Sequence, residues 1–208
     1  MTETASDLLQ AEKAFQYLQQ HPVLGPVVLR WGICPLRPGT DYFGELCRSV
    51  LAQQISGQVA QAIFERLDVL CAGLRPESLA LFSIEDLRAV GISARKAQTL
   101  LELAKRCQTG DIPLPDMGII AEQEIRSQLT SVKGIGNWTV DMFLIFALNR
   151  PRVVPGADFG IRKAIQKLYG LAALPAVGEV SGYYREWVPF ETVASWYLWR
   201  SLDNPGRV

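Results

Sequence analysis

Apolar residues along this chain recur mostly at the i, i+3, i+4 and i+7 spacing that places them on one face of a helix. Alternating runs of β-branched residues, which would indicate strands, are scarce. The pattern therefore predicts an all-α protein, with proline- and glycine-rich connectors at residues 35–41 and 110–118. The predicted helices cover residues 8–18, 25–31, 43–55, 58–70, 83–90, 93–107, 121–130, 138–148, 159–169, 178–184 and 189–201.

One short segment between two helical patterns has the features of a phosphate-binding hairpin. It reads Val132, Lys133, Gly134, Ile135, Gly136, and its two glycines permit positive φ and leave the backbone N–H groups unshielded. Backbone N–H groups at the start of a helix bind phosphate oxygens without any formal charge. We therefore expect this hairpin to bind a phosphate through its backbone.

Composition limits the class of protein. The 208 residues, 49% of them hydrophobic, suffice for one large or two small domains. No apolar stretch is long enough to span a bilayer and the polar opening segment is not a signal sequence, so we expect a soluble intracellular protein. The four cysteines are irregularly spaced, unlike those of a zinc site or a disulfide framework.

The charge balance argues against a general nucleic-acid-binding surface. Lys and Arg together number 21, as do Asp and Glu, so the formal net charge is zero. The hairpin can bind DNA in spite of the zero net charge, because its backbone N–H groups contact phosphate and only a few cations are then needed. An ordinary solvated helix face is the alternative for each candidate cation. The candidates are Arg95, Lys96, Lys105, Lys133, Arg162 and Lys163.

Asp158 is the sharpest candidate for chemistry. It stands directly before the helical pattern that begins at Phe159, where an Asp caps the helix, and capping alone would explain it. A fixed carboxylate also stabilises positive charge that develops on a substrate. The two roles are compatible, so both stay open.

The segment 129–164, which joins the hairpin to Asp158, resembles the helix-hairpin-helix DNA glycosylases, and within them the DNA-3-methyladenine glycosylase II group. Three further segments, at 43–56, 87–104 and 187–199, match in the same order. The resemblance implies two helical subdomains with a lesion-binding cleft between them. Residues 42–150 would form the subdomain with the helix-hairpin-helix motif, and 1–41 with 151–208 the other. It also implies a compact form that lacks the N-terminal β domain of longer members.

The resemblance assigns the chemistry of N-glycosidic bond hydrolysis to Asp158, as the carboxylate that stabilises the oxocarbenium-like sugar and orients or deprotonates water. In bifunctional relatives a lysine that attacks C1′ occupies the position of Trp138, second after the Gly-x-Gly. The tryptophan therefore implies a monofunctional enzyme. Alkylated purines such as 3-methyladenine and 7-methylguanine are cationic and leave without strong acid help. One carboxylate then suffices.

The resemblance also implies a base-flipping apparatus. Trp138, Trp199 and Met142 would line the lesion pocket, although a core position is the alternative for Trp199. Gln54, with its neighbour Gln53, would be the wedge, although an ordinary polar residue at a helix end is the alternative. The residues expected to bind the DNA backbone are Val132, Lys133, Gly134, Ile135, Gly136, Thr139, Arg95 and Lys96.

The expected partner is double-stranded DNA containing alkylated bases. The protein is expected to be a monomer and to have no membrane partner. No cofactor or catalytic metal is expected, and a structural monovalent cation at the hairpin carbonyls is a family expectation. The expected location is cytoplasmic, with the nucleoid in a bacterium or the nucleus in a eukaryote. Two other readings stay open: a non-catalytic helix-hairpin-helix module that recognises damaged DNA, and a bifunctional glycosylase/lyase.

Overall fold

A computed structural model of the chain describes residues 5–203, and within them the secondary structure is helical without strands. The predicted all-α class is confirmed for this part of the chain. No helix among these residues is both long and apolar enough to cross a membrane. The helices are α1 (Ala5–Leu18), α2 (Gly25–Trp31), α3 (Tyr42–Ala52), α4 (Gly57–Leu70), α5 (Pro76–Leu79), α6 (Ile84–Ala89), α7 (Ala94–Thr109), α8 (Glu122–Thr130), α9 (Asn137–Phe146), α10 (Phe159–Leu168), α11 (Val177–Tyr184) and α12 (Glu191–Arg200), with short 3-10 turns at Leu114–Asp116 and Arg185–Trp187.

The chain divides into two compact units. The middle unit is Pro38–Leu148, and the terminal unit joins the residues up to Arg37 with those from Asn149 onward. The resemblance predicts these divisions at residues 42 and 150. The hairpin belongs to the middle unit and Asp158 belongs to the terminal unit.

Helix α9 is the central helix of the middle unit. Every residue from Thr139 to Ile145 is buried, as expected for a helix that is apolar nearly all round. α3 packs against α9, α4 and α7, and α8 packs against α9. The one carboxylate within the buried stretch, Asp141, accepts a hydrogen bond of 2.8 Å from Arg126, so the buried charge is paired.

The terminal unit is built around α12, which packs against α1, α2 and α10. Its core includes the fully buried Trp187 and Tyr197 and the inward face of α10, with Ile161 and Ile165. Hydrophobic residues of α10 recur on one side, and α10 packs against α12. The start of α10 is the position of Asp158.

Candidate functional site

Asp158 is the N-cap of α10 and is bound by two donors. Its Oδ1 accepts the backbone N–H of Ile161 at 2.8 Å and the indole Nε1–H of Trp199 at 2.9 Å. The residue is 8% exposed, so the carboxylate is held by the first turn of α10 and by α12 with little contact to bulk water. The helix N-terminus favours a negative charge there. The same contacts therefore make Asp158 the cap of α10 and hold its carboxylate in a fixed position.

Gly160 permits the close approach of the Trp199 indole to Asp158. A Cβ atom placed on Gly160 would lie 3.0 Å from Asp158 Oδ1 and 3.0 Å from Trp199 Cδ1, closer than such contacts normally allow. Gly160 is not among the site residues that the sequence predicts. A signal was present, because glycine in the first turn of a helix costs about 1 kcal/mol relative to alanine and needs a reason.

The two tryptophans of α12 have different surroundings. Trp196 is 9% exposed and packs edge-on against Trp31 and Tyr197, so it belongs to the core. Trp199 is half-buried and donates its indole N–H to Asp158. Trp196 is therefore a core residue, and Trp199 packs on the edge of the same core while its indole N–H lies at the candidate carboxylate.

Gly134 is required by the fold of the hairpin itself. Its φ is +98°, and a Cβ there would collide with the hydroxyl oxygen of Thr99. That hydroxyl lies 3.0 Å from the carbonyl oxygen of Lys133 and holds the hairpin against α7. Because L residues rarely adopt positive φ and the space is filled, no side chain fits at Gly134.

Gly136 is not required by the fold in this way. Its φ is −110°, so the expectation of positive φ holds for Gly134 alone. A Cβ on Gly136 would meet nothing within 4 Å. Within residues 5–203, neither the Gly134 nor the Gly136 N–H has an acceptor. A glycine that the chain itself does not need is typical of a place where another molecule approaches the backbone closely.

The hairpin is tied to the turn that follows α3 through Gln53. The Gln53 side-chain amide donates to the Gly134 carbonyl at 3.0 Å and to the Thr139 hydroxyl at 2.8 Å, which uses both of its protons. Gln53 is therefore not available as a wedge in this arrangement, and only Gln54 of the pair is exposed. Thr139 is 1% exposed and its hydroxyl accepts from Gln53, so the described contacts of Thr139 lie within the fold, and its contact with DNA stays a prediction.

Lys96 has a different task from the predicted contact with DNA. Its ammonium group donates to the carbonyl oxygens of Leu51 at 2.6 Å and Gln53 at 2.8 Å, at the end of α3. Burial lowers the pKa of Lys96, since taking the ammonium group out of water disfavours its charge. Arg95 and Lys133 are exposed and line a groove of about 610 Å³ beside the hairpin. Arg95 and Lys133 are therefore candidates to meet a phosphate beside the hairpin.

Comparison with known proteins places this site in a family. Residues 47–190 match the HhH-GPD superfamily of base excision DNA repair proteins. DNA-3-methyladenine glycosylase 1 of Schizosaccharomyces pombe is 37% identical over 163 residues, which are 76% of this chain and 72% of the relative. The chain belongs to the HhH-GPD superfamily.

Further relatives support the same group within the superfamily. The structure of the S. pombe 3-methyladenine DNA glycosylase in complex with abasic DNA matches with a TM-score of 0.85 and 34% identity, covering 90% of this chain and 95% of the other. DNA-3-methyladenine glycosylase 2 of Escherichia coli K12 is 28% identical over 160 residues, or 75% of this chain and 53% of the relative. The predicted resemblance is confirmed, and the chain is a DNA glycosylase-type hydrolase of base excision repair.

The candidate site residues fall into two groups, one in each unit. The terminal unit brings Asp158, Gly160 and Trp199 together. The middle unit brings the hairpin beside the exposed Gln54, and α9 carries Trp138 and Met142 at positions i and i+4 of one face. Trp138 is half-buried and Met142 is 6% exposed, so a pocket role for them remains a prediction.

The hairpin carbonyls bear on the monovalent cation expected for HhH-GPD proteins. The carbonyls of Lys133 and Gly134 already accept hydrogen bonds from Thr99 and Gln53. The Ile135 carbonyl has no donor among the described residues, and carbonyl oxygens are suitable ligands for such an ion. Side chains of the kind that hold transition metals form no cluster within residues 5–203.

Proposed function

We propose that this protein is a monofunctional DNA glycosylase that hydrolyses the N-glycosidic bond of alkylated purines, 3-methyladenine and 7-methylguanine, in duplex DNA. The observation that carries the proposal is the geometry of Asp158, a carboxylate fixed by the Ile161 N–H and the Trp199 indole. The relatives named DNA-3-methyladenine glycosylase support the substrate class.

The chemistry requires a fixed negative charge. As the bond between C1′ and the base breaks, positive charge builds on C1′ and O4′ of the deoxyribose. Asp158 would stabilise that charge, and because it is little exposed, its field is weakly screened by water. The same carboxylate would orient or deprotonate the water that attacks C1′. A cationic purine leaves as a neutral base, so no second carboxylate is needed.

The proposal of hydrolysis without strand cleavage rests on the lysines. A lyase needs an uncharged amine at C1′, and the position of that amine in bifunctional relatives is occupied here by Trp138. The Lys96 ammonium is engaged by two backbone carbonyls. Lys133 is exposed and lies within the hairpin, on the other side of Gly134 from Trp138, so it does not occupy the position of that amine.

Binding would use the backbone rather than a basic surface. The N–H groups of Gly134 and Gly136 would donate to phosphate oxygens, with Arg95 and Lys133 adding charge beside them. Gln54 would enter the space left by the extruded base. The electron-rich face of Trp199, which lies at the candidate carboxylate, would favour a cationic base through cation–π attraction, which selects alkylated purines without a hydrogen-bond pattern.

The experiment is to incubate the intact protein with alkylated duplex DNA and to measure both released bases and strand breaks. We expect free 3-methyladenine and 7-methylguanine, with the strand intact until alkali cleaves the abasic site. DNA binding without any base release would instead support the non-catalytic recognition module. Trapping of a protein–DNA adduct by borohydride would identify a bifunctional glycosylase/lyase and refute the argument from Trp138.

A further inference from the structure

We propose that Lys96 is a positioning residue, whose ammonium group holds the turn after α3 in the conformation that presents Gln54 to the DNA base stack. The inference rests on the proposed function, because it concerns how the wedge works. Lys96 lies on α7, more than forty positions along the chain from this turn. Its two acceptors there are the carbonyl oxygens of Leu51 and Gln53.

These two carbonyls lie at the C-terminal end of α3, in its last turn and in the C-cap residue that follows it. A helix ends with carbonyl groups that need donors and with a partial negative charge, and a cation satisfies both. Among the described residues no carboxylate pairs with the Lys96 ammonium, so the backbone of this turn is its whole counterpart. Burying an ammonium group for carbonyls alone is unfavourable unless the turn itself matters.

The turn contains a strained residue directly after the second acceptor. Gln54 has a φ of +59°, in the left-handed region that residues with a Cβ seldom adopt. Such a conformation persists only where the surroundings enforce it. The carbonyl of Gln53 belongs to the peptide group that leads into Gln54, so the bond from Lys96 restrains this peptide.

A second tether fixes the same turn relative to the hairpin. The Gln53 side chain donates to the Gly134 carbonyl and to Thr139, while the Gln53 carbonyl is held by Lys96. Gln53 is thus held by both its side chain and its backbone, and Gln54 projects from a fixed point beside the hairpin N–H groups. One duplex bound at the hairpin then meets Gln54 in a defined register.

The test is a double-mutant cycle with Lys96→Met and Gln54→Ala. The readout is fluorescence of 2-aminopurine placed beside a lesion in duplex DNA, which rises when bases unstack. Lys105→Met is the matched control, because it removes the same charge from an exposed position of α7. Thermal unfolding of every variant reports whether the fold is kept.

We expect Lys96→Met to reduce the unstacking signal about as strongly as Gln54→Ala, roughly 5-fold or more, and to have no further effect in the Gln54→Ala background. Affinity for undamaged duplex should stay within about 2-fold, because the hairpin N–H groups are unchanged. Lys96→Gln keeps a hydrogen-bond donor and should fall between Lys96→Met and the unmodified protein. If Lys96→Met does not fold, the cycle is run with Lys96→Gln.

Two results would overturn the inference. One is a Lys96 effect that multiplies with that of Gln54→Ala, which would show that the two residues act separately. The other is an equal unstacking signal for Lys96→Met and Lys105→Met, which would show that the effect comes from the lost charge alone. The unstacking signal does not depend on base release, so failure to release 3-methyladenine would count against the proposed function and leave this cycle interpretable.

Discussion

A single carboxylate oxygen links three residues at the candidate catalytic site. Oδ1 of Asp158 accepts from Ile161 and from Trp199, and Gly160 leaves the room for the indole to reach it. The position of Asp158 was predictable because a helix N-cap is a local signal. Gly160 was not, because its reason is the indole of a residue on another helix.

Gly160→Ala tests whether the approach of Trp199 to Asp158 matters for activity. Alanine favours the helix by about 1 kcal/mol, which offsets the crowding, so the free energy of unfolding should change by less than about that amount. The rate of base release should fall about 10- to 100-fold, since the carboxylate or the indole must shift. Gly182→Ala, in α11 with nothing within 4 Å of its Cβ, is the matched control. Unchanged release by Gly160→Ala would show that the contact is dispensable.

The two hairpin glycines should separate folding from binding. Gly134→Ala meets both positive φ and the Thr99 hydroxyl, and should lower the free energy of unfolding by about 2 kcal/mol or more. Gly136→Ala meets neither, so stability should be kept while affinity for duplex DNA falls up to about 10-fold. Denaturant unfolding and fluorescence anisotropy with labelled duplex measure the two effects. Equal losses of affinity and stability in Gly136→Ala would contradict the role assigned to this glycine.

At the scale of the helices, starts were easier to predict than ends. The side chains of Ser56, Ser83, Ser93 and Asp158 each accept an N–H from the first turn of the helix they precede, which is a local pattern. The end of α3 was predicted at residue 55, but the helix ends at Ala52. The distant Lys96 caps that end, and no pattern near residue 52 reveals it. The single turn α5 is too short to give a periodic signal.

Substitutions of Asp158 should divide its capping role from its charge. Asp158→Ala removes the acceptor for the Ile161 N–H and should lower the free energy of unfolding by about 1 kcal/mol. Asp158→Asn keeps an acceptor oxygen, and its free energy of unfolding should fall by only a few tenths of about 1 kcal/mol, because asparagine is an equally good cap. Thermal and urea unfolding of the three proteins measure this. A large loss of stability in Asp158→Asn would mean that the charge itself holds the fold.

At the scale of the whole molecule, the zero net charge predicts a shallow salt dependence of DNA binding. With about two cations at the phosphates, the dissociation constant should rise about 10-fold between roughly 50 and 200 mM salt. Lys133→Met should reduce the slope of log affinity against log salt by about one. Binding that does not respond to salt would exclude the proposed phosphate contacts, and a much steeper slope would require a basic surface that the composition does not provide.

The four thiols should be unreactive in the folded protein. Burial raises the pKa of Cys34 to about 11 and that of Cys107 to about 12, and it also raises those of Cys47 and Cys71. The unfolded value is about 9.0, so at pH 8 the folded chain has less thiolate and should react much more slowly with iodoacetamide than the unfolded chain. Because the folded state holds these protons more tightly, stability should fall as the pH rises above about 9. Equal reaction rates in native buffer and in urea would contradict the burial of these groups.

At the scale of the whole molecule, only part of the structure could be predicted from the sequence. The helical class follows from periodicity, and family membership follows from the motifs around the hairpin and Asp158. Tertiary contacts such as those of Gln53 and Lys96 were not accessible, because the partners are far apart in the chain and their side chains are ordinary polar ones. The sequence predicts that both residues meet DNA, and it gives no sign that each also binds the protein backbone.

The role of Asp158 is tested most directly by single-turnover release of 3-methyladenine from alkylated duplex DNA by the unmodified protein and by Asp158→Asn. We expect a rate at least about 100-fold lower for Asp158→Asn, with DNA affinity and unfolding temperature nearly unchanged, because only the charge that would face the sugar is lost. Equal rates for the two proteins would contradict Asp158 as the carboxylate that stabilises the transition state.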